Sequence, residues 1–241
     1  MSILLILSKI MVNFMPESEI KISAVILAKD EEETVGRVVE NALPHADEVL
    51  VVDGHSRDRT REEAESAGAR VVSDNGKGKG DGYRTGISQA QGRVVVLLDA
   101  DGSHDPADIP RLAAPILEDK LDMVIASRWR GGSDDVHPNL THFIRDLGGN
   151  ILALAISYRF KTEVTDCLNG FRAIRRDAAL SLGLEADDFD IEHEMVMKAL
   201  KRGLRLGEVA SHEYARAGGE SKLPTFTKAH KFFIRLFREW F

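Results

Sequence analysis

Short apolar runs alternate with stretches of helical spacing from about residue 21 onward. The runs are nearly continuous in Val, Ile and Leu, as expected of strands that are covered on both faces of a sheet. They are Ile22–Ala28, Glu48–Asp53, Ala69–Ser73, Arg93–Asp99 and Met123–Ser127. The helical patterns lie at about 31–42, 58–67, 82–91 and 107–118. This order predicts βαβ units, and hence an α/β fold with a mostly parallel sheet and flanking helices.

The pattern changes beyond about Arg130. The predicted elements there are a polar, Gly-containing loop, a helix near 140–159, a short strand around Gly170–Ile174, a helix near 190–202 and a short strand at Arg205–Val209. Because the sequence contains no internal repeat, low-complexity tract or long linker, these elements are expected to complete the same domain. We predict one domain at 21–224, an apolar extension at 1–20 and an amphipathic helix at 225–241.

The composition fits one such domain and excludes several classes of protein. With 241 residues, 43% of them hydrophobic, the chain can bury one substantial core, which disordered and fibrous proteins do not. A net charge of −7 argues against broad nucleic-acid binding. The single cysteine, Cys167, cannot form an internal disulfide, so a reducing cytoplasm is expected.

The apolar stretch at 1–15 is shorter than the roughly 20 residues that a membrane-spanning helix needs. It also lacks the basic region and the small-residue cleavage site of a signal peptide. Two alternatives remain: the stretch is a surface anchor, or it lies upstream of a true start at Met11 or Met15.

Two carboxylates follow the strongly apolar run Val94–Leu98. Asp99 and Asp101 stand one residue apart, and small residues after them leave room for a diphosphate. Like charges this close repel unless a cation lies between them, and Mg²⁺ is typically held by one or two carboxylates together with substrate phosphates. We therefore predict a Mg²⁺ or Mn²⁺ site at Asp99 and Asp101. The alternative is that Asp101 or Ser103 only caps the helix near Pro106.

A loop rich in glycine and lysine, Asp74–Gly82, follows the third strand and contains Lys77 and Lys79. Alternate glycines let backbone N–H groups approach an anion, and Arg84 in the following helix adds positive charge. The loop matches neither a Rossmann fingerprint nor a Walker A loop. We predict that it faces a phosphate; the alternative is a flexible turn.

Polar residues also follow the first two strands. They are Lys29–Glu31 and the segment that begins at Asp53. The Asp53 carboxylate could accept a hydrogen bond from a base N–H or a ribose hydroxyl, whereas Ser56 or Asp58 could simply cap the next helix. Ligands bind beyond the carboxyl ends of the strands in sheets of this kind, so four strand ends are expected to converge on one site.

The motifs together, in this order and spacing, resemble the inverting GT-A glycosyltransferases of family 2. The motifs are Ala24–Glu33, Val51–Thr60, the Gly/Lys loop with Arg84–Gly86, and Leu98–Pro106. Further motifs resemble the branch that makes polyprenyl- or dolichyl-phosphate sugars: Ala126–Arg128, Asp166–Arg172, Lys198–Gly203 and Gly218–Leu223. The resemblance covers roughly 21–225. The chain departs from the family pattern at Leu27–Asp30, Asp53–Gly54 and Ser103, and the sugar and nucleotide stay open.

The resemblance implies a GT-A fold and a role for each matching residue. Lys29, Asp30, Glu31 and Asp53 would bind the nucleotide of a UDP- or GDP-sugar donor, and Lys77, Lys79 and Arg84 would lie near its phosphates. Asp99 and Asp101 would hold Mg²⁺ or Mn²⁺ and the donor diphosphate. Arg128, Arg145 and Lys222 would bind the acceptor, and Asp166 would line the reaction centre. The catalytic residues would be Asp101, Asp166 and Arg128.

The implied reaction is metal-dependent transfer of a hexose, with inversion, to a polyprenyl or dolichyl phosphate. One alternative is a family 2 enzyme with a soluble phosphorylated acceptor, as in glucosyl-3-phosphoglycerate synthases. Another is a membrane-surface scaffold that retains the fold without catalysis. Such a scaffold would not need the intact Asp99 and Asp101.

The stretch at 225–241 combines an apolar face with a basic stripe. The apolar residues at helical spacing are Phe226, Phe233, Leu236, Phe237 and Trp240, and the basic ones are Lys228, Lys231, Arg235 and Arg238. This pattern is typical of an interfacial helix that meets anionic lipid headgroups. It predicts peripheral contact at the inner face of the cell membrane. The alternative is that the helix packs on the domain or on a second subunit of a homo-oligomer.

Overall fold

The computed structural model describes residues 20–134, 140–218 and 225–241, with side chains except at 140–145 and 225–229. Within these ranges seven strands form one sheet. They are β1 (Ile22–Ala28), β2 (Glu48–Asp53), β3 (Arg70–Ser73), β4 (Val94–Asp99), β5 (Met123–Ser127), β6 (Arg172–Arg175) and β7 (Leu206–Ala210). Their order is β3-β2-β1-β4-β6-β5-β7, with β6 antiparallel to both neighbours and the other described pairs parallel.

Helices cover both faces of the sheet. They are α1 (Val35–Ala42), α2 (Thr60–Ser66), α3 (Lys79–Gln89), α4 (Ile109–Leu117), α5 (Arg128–Gly131), α6 (Leu140–Phe160), α7 (Arg176–Ser181), α8 (Ile191–Lys201) and α9 (Thr225–Trp240). Two short 3₁₀ helices occupy Leu43–His45 and Pro106–Asp108.

Alternate strand residues divide the core into two layers, because successive side chains of a strand point to opposite faces. On one face, Val25, Leu50 and Leu97 pack with side chains of α3, α6 and α8. On the other face, Ile26 and Leu98 pack with side chains of α1 and α4. Burial on both faces explains the unbroken Val/Ile/Leu runs of the central strands.

The predicted α/β fold with a mostly parallel sheet is confirmed, and the predicted bounds of β1, β2 and β5 match the observed ones. The antiparallel direction of β6 was not predicted, because it is set by long-range pairing with β4 and β5. Helices α5 and α7 are only four and six residues long, too short to give a helical period in the sequence.

Helix α9 packs on α8 and α6. Arg235 is almost completely buried there, and its guanidinium lies 3.0 Å from a carboxylate oxygen of Asp190 and 3.0 Å from one of Glu194. Glu239 is also buried on the same face. The inner face of α9 therefore packs on the domain, as the alternative to membrane contact predicts.

The described basic side chains of α9 form ion pairs with acidic side chains of the domain. In addition to Arg235, Lys231 lies 3.2 Å from Asp188 and Arg238 lies 2.5 Å from Glu185. The Lys228 side chain lies outside the described part of the chain. These cations form ion pairs with acidic side chains before and within α8, and the expectation that they meet anionic lipids stays a prediction.

The predicted apolar face of α9 is divided between two sides. Leu236 packs against the core, whereas Phe233 and Phe237 are exposed. The Phe226 side chain lies outside the described part, as does the apolar extension except for Ile20. Among the described residues, no helix is long and apolar enough to cross a membrane.

Candidate active site

Two cavities lie beyond the carboxyl ends of the central strands. The N-terminal cavity, of about 480 Å³, is lined by the ends of β1 and β2 and by the Gly/Lys loop. The C-terminal cavity, of about 470 Å³, is lined mainly by residues beyond Asp99. The residues that line both are Lys79, Asp99, Asp101, Phe189 and Arg216. The acidic pair therefore lies where the two cavities meet.

Each carboxylate of the pair contacts a cationic side chain of the protein. Asp99 ends β4, and the Lys79 Nζ lies 3.0 Å from its Oδ1 and 3.0 Å from its Oδ2. The Asp101 Oδ2 lies 3.2 Å from the Arg216 guanidinium, and Ser103 donates to Asp101 Oδ1 from its hydroxyl (2.6 Å) and its amide (3.0 Å). The two cations offset a repulsion that the sequence alone leaves uncompensated.

Asp101 is buried, yet it favours the ionised form. Burial opposes ionisation, but the charges of His104 and Arg216 and the hydrogen bonds from Ser103 outweigh it and lower the pKa of Asp101 below its ordinary value. A buried carboxylate that stays ionised beside a cavity can bind a cation or position a cationic group.

Neither Asp101 nor Ser103 caps the helix near Pro106, as the alternative interpretation had it. The Asp105 carboxylate caps the 3₁₀ helix that begins at Pro106, by accepting from the amide of Ala107 at 3.0 Å. After β2, the Asp58 carboxylate accepts the amide of Thr60, the first residue of α2, at 3.0 Å. The Asp99 and Asp101 pair is therefore available to the cavities.

Lys79 connects the acidic pair to Glu192, which sequence reasoning missed. Its ammonium lies 2.9 Å from Glu192 and close to the rings of Tyr83 and Phe189. Burial opposes the charge of Lys79, but Asp99 and Glu192 raise its pKa well above the ordinary value. Burial also raises the pKa of Glu192. Glu192 could have been identified from the sequence as a glutamate on the buried side of a predicted helix.

The Gly/Lys loop uses most of its amides within the protein. The amides of Asn75 and Lys77 donate to Asp81, and the amide of Gly80 donates to the carbonyl of Asp187. These amides are engaged within the protein, and whether the loop faces a phosphate stays a prediction. The loop lines the N-terminal cavity with Asp74, Gly76, Lys77, Gly78, Lys79 and Gly82, and Lys79 also lines the C-terminal cavity.

Close packing explains the glycines of the same loop. A Cβ at Gly80 would lie 2.0 Å from the carbonyl oxygen of Ala186, and Gly78 has φ +128°. The guanidinium of Arg84 binds the same segment, at Asp187 (2.5 Å) and at the carbonyl of Ala186. Arg84 is not among the lining residues of either described cavity, so its predicted contact with a phosphate is not supported.

The predicted nucleotide-binding residues differ in their access to the N-terminal cavity. Lys29, Asp30 and Glu31 line it. Asp53 is buried beside it, with its Oδ1 accepting the amide of Ser56 at 3.1 Å, and it is not among the described lining residues. Its two neighbours in sequence, Val52 and Gly54, do line the cavity.

Arg128 and Asp166 form a bidentate ion pair in the C-terminal cavity. The Arg128 Nε lies 2.6 Å from Asp166 Oδ2, and its Nη2 lies 2.8 Å from Oδ1. Burial opposes ionisation of Asp166, but Arg128 lowers its pKa below the ordinary value. Arg128 also lies 3.4 Å from Glu213. The structure thus brings both predicted residues to one cavity, where Asp166 orients Arg128.

Two predicted acceptor residues are only partly or not at all described. Lys222 lies outside the described residues, and for Arg145 the structure describes only the backbone, within α6. The contact of Arg216 with Asp101 was not predicted, because the two residues are far apart in the sequence.

The donor atoms at the junction of the cavities fit a magnesium or manganese ion only in part. No cluster of three or more His, Cys, Asp or Glu side chains that could hold a metal is found among the described residues. Asp99 and Asp101 supply two carboxylates, and Mg²⁺ commonly completes such a site with diphosphate oxygens and water. The pair therefore fits a metal that binds together with its substrate.

Comparison with known proteins places this arrangement in a family. The glycosyl transferase family 2 model matches residues 23–183. Glycosyltransferase AglJ of Haloferax volcanii is 33% identical over 87% of this chain and 68% of that protein. The UDP-N-acetylglucosamine–dolichyl-phosphate N-acetylglucosaminyltransferase of Methanococcus voltae is 29% identical over 88% of this chain and 93% of its own length.

Another relative and a solved structure extend the comparison. The dolichol-phosphate mannosyltransferase of Pyrococcus furiosus is 30% identical over 84% of this chain and 59% of that protein. The structure of Mycobacterium tuberculosis glucosyl-3-phosphoglycerate synthase with Mn²⁺, UDP and glucosyl-3-phosphoglycerate has a TM-score of 0.74 at 23% identity, covering 92% of this chain and 81% of that one. This last likeness concerns the fold. By its sequence match and its sheet, the chain is a member of glycosyl transferase family 2.

Proposed function

We propose that this glycosyltransferase moves a hexose from a UDP- or GDP-sugar to a polyprenyl or dolichyl phosphate, with inversion at the anomeric carbon. The observation that carries the proposal is the junction of two cavities at Asp99 and Asp101. The N-terminal cavity suits the donor nucleotide, since Lys29, Asp30 and Glu31 line it. The C-terminal cavity suits the acceptor phosphate, which Arg128 can bind.

In the proposed reaction an acceptor phosphate oxygen attacks the anomeric carbon. The bond from that carbon to the donor diphosphate breaks, and the nucleoside diphosphate leaves with the electron pair. The attacking oxygen is anionic near neutral pH, so no proton needs to be removed from it. A bound Mg²⁺ or Mn²⁺, held by Asp99 and Asp101, would supply charge neutralisation of the leaving diphosphate.

The protein's own residues supply orientation and further positive charge. Asp166 holds the Arg128 guanidinium at the wall of the C-terminal cavity, where it can bind an acceptor phosphate. Lys79 and Arg216 lie between the cavities, where charge passes from acceptor to leaving group. Fixed cations beside a developing charge lower the barrier without reorganising.

A lipid acceptor is favoured over a soluble one by the named relatives that act on dolichyl phosphate. The soluble alternative is favoured by a different observation, the fold shared with glucosyl-3-phosphoglycerate synthase. The two acceptors share a phosphate group and differ in their apolar part. A direct acceptor comparison therefore separates them.

The first test follows radiolabelled sugar from UDP- and GDP-sugars into a short polyprenyl phosphate or into 3-phosphoglycerate. A thermal-shift panel of UDP- and GDP-sugars with Mg²⁺ or Mn²⁺ identifies the donor beforehand. We expect label in the prenyl phosphate and loss of transfer with a chelator. Label in 3-phosphoglycerate alone would replace the lipid acceptor with a soluble one. A protein inactive on every pair would support the scaffold alternative.

The acidic pair is tested by Asp101→Ala, with the exposed Asp177→Ala as the matched carboxylate control. Loss of an essential charge-stabilising group typically costs 10²-fold or more in turnover, and we expect at least about that for Asp101→Ala. The control should keep wild-type transfer. An Asp101→Ala enzyme that stays active and insensitive to chelators would refute the metal assignment.

A further inference from the structure

Two neighbouring helices each expose an apolar face. On α6 the exposed side chains are Leu147, Ile151, Leu154 and Tyr158, and on α9 and its end they are Phe233, Ile234, Phe237 and Phe241. These eight side chains are between 48% and 83% exposed. Monomeric proteins rarely expose large contiguous apolar patches unless they mark an interaction site. We name these eight residues the two-helix face.

The two halves of this face point away from the same core. The opposite side of α6 buries Leu152 and Ile156 in the core layer that also contacts Leu236 of α9. The helices are joined near their C-terminal ends, where the Arg159 Nε donates to the carbonyl of Trp240 at 3.1 Å. Both exposed faces therefore lie on one outer side of the domain.

The same helices also reach the C-terminal cavity. Asp146, Gly149 and Asn150 of α6 line it, and so does Phe232 of α9. A Cβ at Gly148 would meet no described atom within 4 Å, so α6 is not closely packed at this residue. The two-helix face is thus continuous with the wall of the cavity assigned to the acceptor phosphate.

Several basic side chains near the face already form ion pairs within the domain. Lys231, Arg235 and Arg238 bind acidic side chains of the domain. Lys201 lies 3.5 Å from Glu239 on the inner side of α9. Anionic lipid headgroups would have to compete with these ion pairs, whereas hydrocarbon contact leaves them intact.

We infer that the two-helix face rests on a lipid surface through apolar contact that does not depend on anionic headgroups. The inference builds on the proposed function, because the face would bring the cavity to a membrane-held prenyl phosphate. The acceptor phosphate would lie in the C-terminal cavity, and its prenyl chain would leave along α6 and α9 into the bilayer. Exposed Phe and Tyr rings suit such an interface.

The single buried cysteine makes a local test possible on the full chain. Cys167 is 1% exposed, so a cysteine introduced by Leu154→Cys or Phe237→Cys can be labelled selectively with an environment-sensitive fluorophore. Leu43→Cys is the control, since Leu43 is 43% exposed and follows α1 on the other face of the sheet. The probe is a vesicle of pure zwitterionic phosphatidylcholine, compared with one containing phosphatidylglycerol, at low and high salt.

We expect blue-shifted emission and protection from an aqueous quencher at positions 154 and 237 with both vesicles and at both salt concentrations. The control label at position 43 should not change. Leu154→Glu should lower vesicle partitioning at least about tenfold, because a buried Leu contributes that much or more. Circular dichroism of each variant checks that it is folded.

Three results would overturn the inference. Labels at 154 and 237 that stay in water while the protein floats would place the contact elsewhere in the chain. A shift only with phosphatidylglycerol at low salt would assign it to charge. A shift that depends on protein concentration without vesicles would assign the face to a second copy of this chain.

The proposed function can fail separately. Transfer by the wild-type chain to a short, water-soluble prenyl phosphate without vesicles tests the chemistry alone. A wild-type chain that transfers to no lipid phosphate, while its labels still enter the bilayer, would refute the function and retain the surface.

Discussion

The ion pairs beneath α9 lead to a quantitative prediction for Arg235→Met. The substitution keeps an apolar stem and removes a guanidinium that lies 3.0 Å from both Asp190 and Glu194. Glu194 is fully buried, so it would lose part of its charge compensation without gaining water. Removing one partner of a buried ion pair typically costs about 3–5 kcal/mol.

The lower end of that range applies here, because Glu194 keeps other partners. Lys198 lies 2.8 Å from it, and the amides of Glu185 and Ala186 donate to it. We therefore expect a loss of about 3 kcal/mol in the free energy of unfolding. For a domain of this size that corresponds to a fall of about 6–12 °C in Tm.

Urea unfolding and calorimetry measure this loss, and Arg238→Met is the matched control. Arg238 lies on the same helix, is 60% exposed at its side chain and pairs only with Glu185 among the described residues, so its removal should cost less than about 1 kcal/mol. Amide exchange should rise first in α9, while β4 stays protected. If Arg235→Met cost no more than Arg238→Met, the argument that buried charge fixes this helix would be refuted.

Two further predictions concern buried titratable groups. Burial lowers the pKa of His193, which stacks on Phe232, to about 3, so the folded state keeps this ring neutral while the unfolded chain protonates it below about pH 6.5. The contribution of His193 to the free energy of unfolding should therefore be complete above that pH and fall on acidification, by about 2 kcal/mol between pH 6.5 and pH 5. The His193→Phe variant should lack this part of the dependence of unfolding free energy on pH, as measured by urea titrations at several pH values. The same pH dependence in the variant and the wild type would contradict the prediction. Asp166→Asn leaves the Arg128 guanidinium without its buried carboxylate, and we expect a loss of about 3 kcal/mol in thermal unfolding together with impaired acceptor binding. Glu163→Gln, at a pair on the surface, should stay within about 1 kcal/mol of the wild type, and an Asp166→Asn protein as stable as this control would refute the role of the pair.

Much of the framework could be predicted from the sequence because its causes are local or periodic. Buried strands need uninterrupted apolar residues, and this fixed the bounds of β1, β2 and β5. Carboxyl ends of parallel strands share one edge, which correctly placed Asp99 and Asp101 beside Lys29–Glu31. Long amphipathic helices such as α9 reveal their period.

The partners of charged side chains could not be predicted in this way. Which cation contacts Asp101 depends on the return of Arg216 to the strand ends, more than a hundred residues later. The same holds for Lys79 with Glu192, and for the acids that bind the basic side chains of α9.

The sequence by itself determined the α/β framework and the acidic pair at its edge, since the hydrophobic period of each strand and helix requires only neighbouring residues. The tertiary structure decided which charges neutralise each other and which apolar side chains stay exposed. Those outcomes depend on distances between elements far apart in the chain. A sequence pattern gives the chemistry of a side chain, whereas packing determines the dielectric around it and the partner that it meets.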